Sequence, residues 1–264
     1  MKKYMADWVV TENLRLHSNY CLIKLTHSQP LPEMFPGQFV QVWVDHSSAT
    51  FLRRPISVHY VEKSKNELWL LIQLVGDGTR KLAELQGGDI VNLLYPLGNH
   101  FSLPEKNMKL EKPEKKFLLI GGGIGVAPLF FLGSCLKELG YSPSFLLGAR
   151  SSDDLLQLEF FEQFGTVYTT TEDGSFGEKG LVTHHSILQN EVFDMIYTCG
   201  PKPMMQAVAA FAKKRGTQCE VSLENMMACG IGACLCCVEN TIEGHVCVCT
   251  QGPVANIEKL TWHI

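Results

Sequence analysis

An extended Lys/Arg-rich run is missing from this chain, whose formal net charge is −4. Recognition of a phosphate backbone needs a basic surface, so nucleic acid is excluded as the main partner. Residues 1–20 have neither an apolar core segment nor a small-residue cleavage site, so no secretory leader is expected. Internal repeats and low-complexity tracts are also missing. One stretch, residues 117–136, carries no charge over a length that could span a bilayer. It contains Gly121, Gly122, Gly123, Gly125, Pro128 and Gly133, and a strand, a glycine turn and a helix explain it better than a membrane span. Spread-out cysteines of the secreted, disulfide-stapled kind are lacking as well. Six of the ten cysteines crowd between Cys229 and Cys249. Without an export signal, that crowding points to metal ligation in a reducing cytoplasm.

What is present is a chain of 264 residues, 45% apolar and 19% charged, enough for two domains with real cores. Residues 1–102 read as β structure. Runs such as 39–44 and 68–73 are rich in strand formers, and Pro36-Gly37, Gly76-Asp77-Gly78 and Gly87-Gly88-Asp89 punctuate them. Short strands at close spacing predict an antiparallel barrel, with one short helix from Thr79 to about Leu85. The polar, lysine-rich stretch 102–116 is the expected boundary. From 103 to 218 strands and helices alternate: strands at 116–120, 144–148, 166–170 and 193–198, helices at 126–139, 153–164 and 204–215. This order predicts a parallel sheet wrapped by helices. Residues 219–264 form a cysteine-rich tail.

Cys229, Cys234 and Cys237 have C-x4-C-x2-C spacing, that of plant-type [2Fe–2S] sites. Two irons bridged by sulfide need four thiolates converging on one small object. A tight loop wraps such an object only where side chains are sparse, which Gly230, Gly232 and Ala233 provide. The fourth ligand is Cys247 or Cys249. A structural zinc site of Cys234, Cys237, Cys247 and Cys249 is the competing reading, but it leaves Cys229 and the glycine-rich loop unexplained. Cys236 is expected to be a small buried filler.

Arg53-Arg54-Pro55-Ile56-Ser57 sits within the β region. A guanidinium there could grip a pyrophosphate, with a following hydroxyl to hydrogen-bond a ring. Gly76-Asp77-Gly78-Thr79 enters the short helix and could hold phosphate on its amides, or be an ordinary turn with a threonine cap. Gly121-Gly122-Gly123-Ile124-Gly125-Val126 follows a strand and opens a helix, the context of a dinucleotide site. It departs from the generic G-x-G-x-x-G pattern: Val126 takes the third glycine position, and Gly148-Ala149-Arg150 stands where an acid would follow the second strand. No Ser–His–Asp set or paired carboxylate is evident, and the nine histidines show no ligand spacing, so no catalytic side chain is expected.

Taken in order, these motifs resemble the ferredoxin–NADP reductase superfamily over essentially the whole chain. Pro36-Gly37-Gln38-Phe39, Arg54-Pro55-Ile56-Ser57, Gly78-Thr79 and Pro96-Leu97-Gly98-Asn99 resemble its flavin barrel. Gly121 to Pro128 and Cys199-Gly200-Pro201-Lys202-Pro203-Met204 resemble its nucleotide domain. The tail, with Leu223-Glu224, Met227-Ala228-Cys229-Gly230-Ile231-Gly232-Ala233-Cys234 and Cys249-Thr250-Gln251-Gly252-Pro253-Val254, is similar to the electron-transfer subunits of NAD-dependent, heterotetrameric dihydroorotate dehydrogenases.

The resemblance implies FAD, a [2Fe–2S] cluster and NAD(H) as cofactors. It places FAD on Arg54, Pro55, Ile56, Ser57, Leu71, Ile72, Gln73, Gly78 and Thr79, with Gln73 where the superfamily pattern has arginine. It places the nicotinamide site at Gly122, Gly123, Gly125, Cys199 and Gly200, and the cluster on Cys229, Cys234, Cys237 and Cys249. It further implies an FMN-containing catalytic subunit as partner, two of each chain, in cytoplasmic pyrimidine (UMP) biosynthesis. The same wiring could instead serve a hydrogenase, a sulfide dehydrogenase or an oxygenase. NAD is expected over NADP: Arg150, Ser151 and Ser152 could hold a 2′-phosphate, but Asp153 and Asp154 would repel it, unless Arg150 simply pairs with those acids.

Overall fold

The computed structural model describes residues 2–106 and 115–264 of the chain. Most of the expected boundary, residues 107–114, lies outside the described residues. The first half is antiparallel: β1 (Tyr4–His17), β2 (Tyr20–Thr26), β3 (Phe39–Val42), β4 (Arg54–Ser57), β5 (Tyr60–Glu62), β6 (Glu67–Gln73) and β7 (Ile90–Leu97), in the spatial order β4-β3-β7-β1-β2-β6-β5. One run of chain closes this sheet into a barrel. β4 pairs with β3, and only two residues later β5 pairs with β6. At the switch the Val58 amide donates to the Gln38 carbonyl at 2.9 Å and the His59 amide to the Trp69 carbonyl at 3.0 Å. Alternate residues point inward, among them Trp8, Val10, Val40, Val42, Leu68 and Leu70, and they form the barrel core. The short helix α1 (Asp77–Leu82) begins two residues earlier than expected.

The second half alternates β8 (Phe117–Gly122), α2 (Val126–Glu138), β9 (Ser144–Ala149), α3 (Leu158–Phe161), β10 (Thr166–Thr171), β11 (Glu178–Lys179), α4 (Ile187–Asn190), β12 (Met195–Cys199), α5 (Lys202–Arg215) and β13 (Gln218–Ser222). Its strands are parallel in the order β11-β10-β9-β8-β12-β13. All of β8 and β12 is buried, as expected of strands covered on both faces. The strand order reverses at β8, which places a crevice beyond the carboxyl ends of β8 and β12. Residues 117–136 thus resolve into β8, a glycine turn and α2. Among the described residues no helix is long and apolar enough to cross a membrane.

The helix expected over 153–164 is only a 3-10 turn (Ser152–Asp154) followed by the four-residue α3. Leu155 is extended, and Gln157 takes the left-handed conformation at φ 56°, so the helical path is broken between them.

The tail leaves the parallel sheet after β13. It forms a hairpin, β14 (Val238–Thr241) with β15 (Gly244–Cys247), then α6 (Val248–Gln251), and returns as β16 (Val254–Asn256), which pairs antiparallel with β13. It also docks on the barrel. Asn99 donates from Nδ2 to the carbonyls of Gln251 and Val254 at 2.9 and 2.8 Å, and its Oδ1 accepts the Val254 amide at 2.9 Å. A single apolar cluster runs from Phe39 and Leu97 through Met227, Cys237, Val248 and Cys249 to Ile196 and Val221. Barrel, tail and sheet therefore each contribute to one apolar cluster beside the barrel's own core.

Candidate functional site

The loop from Leu223 to Cys237 turns back on itself. Gly230 stands at φ 71°, a conformation side chains resist, and a Cβ there would lie 2.8 Å from Gln41 Cγ. The tight path aims backbone amides at sulfur. The Ile231 and Cys234 amides each donate to Cys229 Sγ at 3.4 Å, the Gly232 amide donates to Cys249 Sγ at 3.1 Å, and the Cys249 amide to Cys237 Sγ at 3.4 Å. Donors of this kind stabilise a thiolate, the form that binds metal.

The thiols fall into two touching pairs, Cys229 with Cys234 and Cys237 with Cys249. Desolvation pushes Cys229 up, but the amides of Ile231 and Cys234, with help from the Cys234 thiol and the Ala233 amide, bring it down to about 6. Burial and the neighbouring Cys237 raise Cys249 to about 12. Among the described residues no three His, Cys, Asp or Glu side chains converge as a site for one ion. Two pairs of thiols, with amide donors around them, fit a two-iron cluster, which takes two thiolates per iron. Cys247 is close enough to Cys237, Cys229 and Cys234 to feel their charge, though burial is the larger cause of its raised pKa. Its amide donates to Gln251 Oε1. Cys236, expected to be buried, is exposed: with Leu235 left-handed at φ 58°, the chain turns it outward.

On the barrel, Arg54, Pro55, Ile56 and Ser57 are all half-buried along β4. The two adjacent arginines differ. Arg53 donates to the carbonyls of Gln41 and Asn92 and lies over the Trp43 ring. Arg54 has no hydrogen-bond or ion-pair partner among the described residues, and its side chain lies against Gly78, where a Cβ would stand 2.8 Å from Arg54 Cδ. An unpaired guanidinium beside a glycine turn fits a phosphate group. Thr79 is engaged as a local cap: its hydroxyl accepts the Val75 and Gly76 amides at 3.0 and 3.2 Å. Leu71 and Ile72 are buried in the cores, and Gln73 Nε2 donates to the Tyr20 hydroxyl at 3.1 Å.

Gly122, Gly125, Cys199 and Gly200 meet where β8 and β12 end. A Cβ on Gly125 would stand 2.4 Å from the Cys199 carbonyl oxygen, and one on Gly122 would stand 2.5 Å from Met204 Sδ. Gly123, at φ 54°, faces open space. Burial raises the Cys199 thiol well above its ordinary value, and Glu224 adds to the shift. Glu224 was not among the expected site residues. It is exposed to solvent, yet its charge acts on the Cys199 thiol and desolvation raises its own carboxyl pKa. The Leu223-Glu224 pair in the tail motif was the sequence sign of it. Arg150 makes no ion pair with Asp153 or Asp154 among the described residues, so the pairing considered from sequence is not formed.

A closed flavin-type barrel, a parallel nucleotide domain and a thiol-bearing tail define an iron–sulfur reductase of the ferredoxin-reductase class. The family model for the "iron-sulfur cluster binding domain of dihydroorotate dehydrogenase B" matches residues 224–261, and that for the "oxidoreductase NAD-binding domain" matches 119–210. The dihydroorotate dehydrogenase B (NAD(+)) electron transfer subunit of Shouchella clausii is 40% identical over 223 residues, 83% of each chain. That of Fusobacterium nucleatum is 35% identical over 256 residues, 95% of this chain and 96% of the relative. A solved chain of NADH-dependent reduced ferredoxin–NADP oxidoreductase superposes with TM-score 0.85 at 28% identity, covering 97% of this chain and 90% of that one. The cytochrome b5 reductase domain of Ulva prolifera nitrate reductase shares the fold, with TM-score 0.65 at 17% identity over 81% of this chain and 93% of that one. The chain belongs to the family of dihydroorotate dehydrogenase B (NAD(+)) electron transfer subunits.

Proposed function

We propose that this chain carries electrons between an FMN-containing dihydroorotate dehydrogenase subunit and NAD+, as one of two copies in a cytoplasmic heterotetramer serving pyrimidine synthesis. The observation that carries the reading is the presence of three sites in one fold: thiols paired under backbone amides, an unpaired Arg54 on the flavin strand and a glycine-walled crevice at Cys199, with the thiol-bearing tail tied to the barrel by Asn99 and sharing an apolar cluster with Phe39 and Leu97. Bound FAD exchanges electron pairs with nicotinamide as hydride and single electrons with a [2Fe–2S] cluster, which is the chemistry these groups supply.

In this reading Cys229, Cys234, Cys237 and Cys249 hold the cluster. Arg54 and the Gly78 turn would hold the FAD pyrophosphate, Ser57 would supply a hydroxyl to the flavin, and Gly122, Gly123, Gly125 and Gly200 would let the nucleotide approach the β8–β12 crevice. Cys199 and Glu224 bound that crevice. No side chain breaks a substrate bond here; dihydroorotate would be oxidised on the partner. The chain's own part is to bind, orient and exclude water.

The test is purification from the native source under anaerobic conditions. A brown protein with flavin and reducible iron–sulfur signals, accompanied by an FMN flavoprotein, is expected. A colourless zinc protein, or a brown one bound to a hydrogenase or oxygenase instead, contradicts the reading.

A further inference from the structure

One polar side chain is sealed in the apolar wall between barrel and tail. Gln41, in β3, is fully buried at 0% exposure. Among the described residues neither its Nε2 nor its Oε1 has a hydrogen-bond partner. A buried carboxamide left unpaired is destabilising, so its place in the fold points to a partner outside the polypeptide.

Two neighbours show where that partner lies. In the β3–β4 register Gln41 stands opposite Pro55, inside the Arg54–Ser57 segment. On its other side is Gly230, the residue after Cys229: a Cβ there would meet Gln41 Cγ at 2.8 Å and Nε2 at 3.1 Å. The carboxamide is therefore clamped between the flavin strand and the loop that carries the thiols. The loop's own amides reach sulfur from within the tail, and Gln41 is the polar group the barrel offers at the same place.

We infer that Gln41 Nε2 donates a hydrogen bond to a sulfur of the iron–sulfur cluster held in this loop, and thereby raises the cluster's reduction potential. A cluster gains negative charge on reduction, and a donor at sulfur favours the more negative state. Gln41 is thus a positioning and tuning residue, and the inference rests on the function proposed above.

The experiment is an anaerobic redox titration of the holoprotein, followed by EPR of the cluster and absorption of the flavin, for wild type, Gln41→Leu and Gln41→Met. Both variants should lower the cluster midpoint, by about tenfold in the one-electron equilibrium or about 59 mV, while the flavin midpoint stays in place. An unchanged cluster midpoint, or a shift confined to the flavin, overturns the inference. Should both variants fail to hold a cluster, the wild-type protein decides. With glutamine labelled by 15N at the side-chain amide, pulsed EPR of the reduced cluster should show a 15N coupling that survives Gln251→Leu, a variant of the glutamine that accepts the Cys247 amide. Its absence overturns the inference. A wild-type protein with no EPR-active cluster would instead remove the proposed function, and this inference with it.

Discussion

Arg53 and Arg54 are neighbours with opposite roles. The first is spent on barrel carbonyls and the Trp43 ring, and the second is left without a partner beside Gly78. A charged hydrogen bond to phosphate is worth roughly 1.5–3 kcal/mol, so Arg54→Ala should weaken FAD binding by about 10- to 150-fold. Fluorescence titration of the apoprotein with FAD measures this, and stoichiometric FAD after gel filtration of the variant would place the pyrophosphate elsewhere. The cysteines allow a sharper comparison. Cys249 Sγ receives the Gly232 amide and touches Cys237, whereas Cys247 stands at the edge of the group. Iron analysis of the separate serine variants should show loss in Cys249→Ser and retention in Cys247→Ser; the reverse pattern makes Cys247 the ligand. The cysteine spacing was plain in the sequence. The pairing of the thiols was not, nor was the outward turn of Cys236, because both depend on how the loop folds back against α6 and the barrel.

At the scale of elements, glycines mark where strand ends crowd each other. The backbone of β12 leaves no room beside Gly125, whereas nothing lies within 4 Å of a Cβ on Gly76. Gly125→Ala should therefore raise the KM for NADH at least several-fold and lower Tm, while Gly76→Ala leaves both near wild type; NADH-driven flavin reduction and thermal melts check the pair. Equal KM values would show that the crevice is not the nucleotide site. The alternation of strands and helices was legible from apolar runs such as 117–120 and 144–148, which become fully or mostly buried parallel strands. The expected helix over 153–164 failed because tertiary packing of Leu155, Leu156 and Phe161 into the core outweighed local propensity. The antiparallel return of β16 gave no local signal, since its pairing with β13 is set by the tail's path around the thiol loop.

At the scale of the whole molecule, barrel and nucleotide domain meet through His59. Its Nδ1 lies 2.9 Å from the Ala127 carbonyl near the start of α2, and its ring stacks on Phe130. Burial pushes its pKa down to about 4 from the ordinary 6.5. Above pH 6.5 the ring is neutral both folded and unfolded, and stability is undiminished. Between pH 6.5 and about 4 the unfolded chain takes up a proton that the folded one refuses, so stability falls, by on the order of 3 kcal/mol across that window. Chemical denaturation at several pH values should show this loss in wild type and a smaller one in His59→Phe, which keeps the stacking. Matching pH profiles would remove His59 from the account. The division into barrel, parallel sheet and cysteine tail was readable from composition and turn signals, but the apolar cluster that joins them was not, because Phe39, Leu97 and Val248 lie far apart in sequence.

Electrons from a dihydroorotate-oxidising partner reach NAD+ through this chain. The direct measurement is anaerobic, steady-state NADH formation at 340 nm with dihydroorotate as donor, using the chain co-expressed with its FMN-bearing catalytic subunit and each chain alone. NADH should form only with both chains present and disappear in the Cys229→Ser complex. NADH formation by the catalytic subunit alone, or none from a fully loaded complex, would contradict the account.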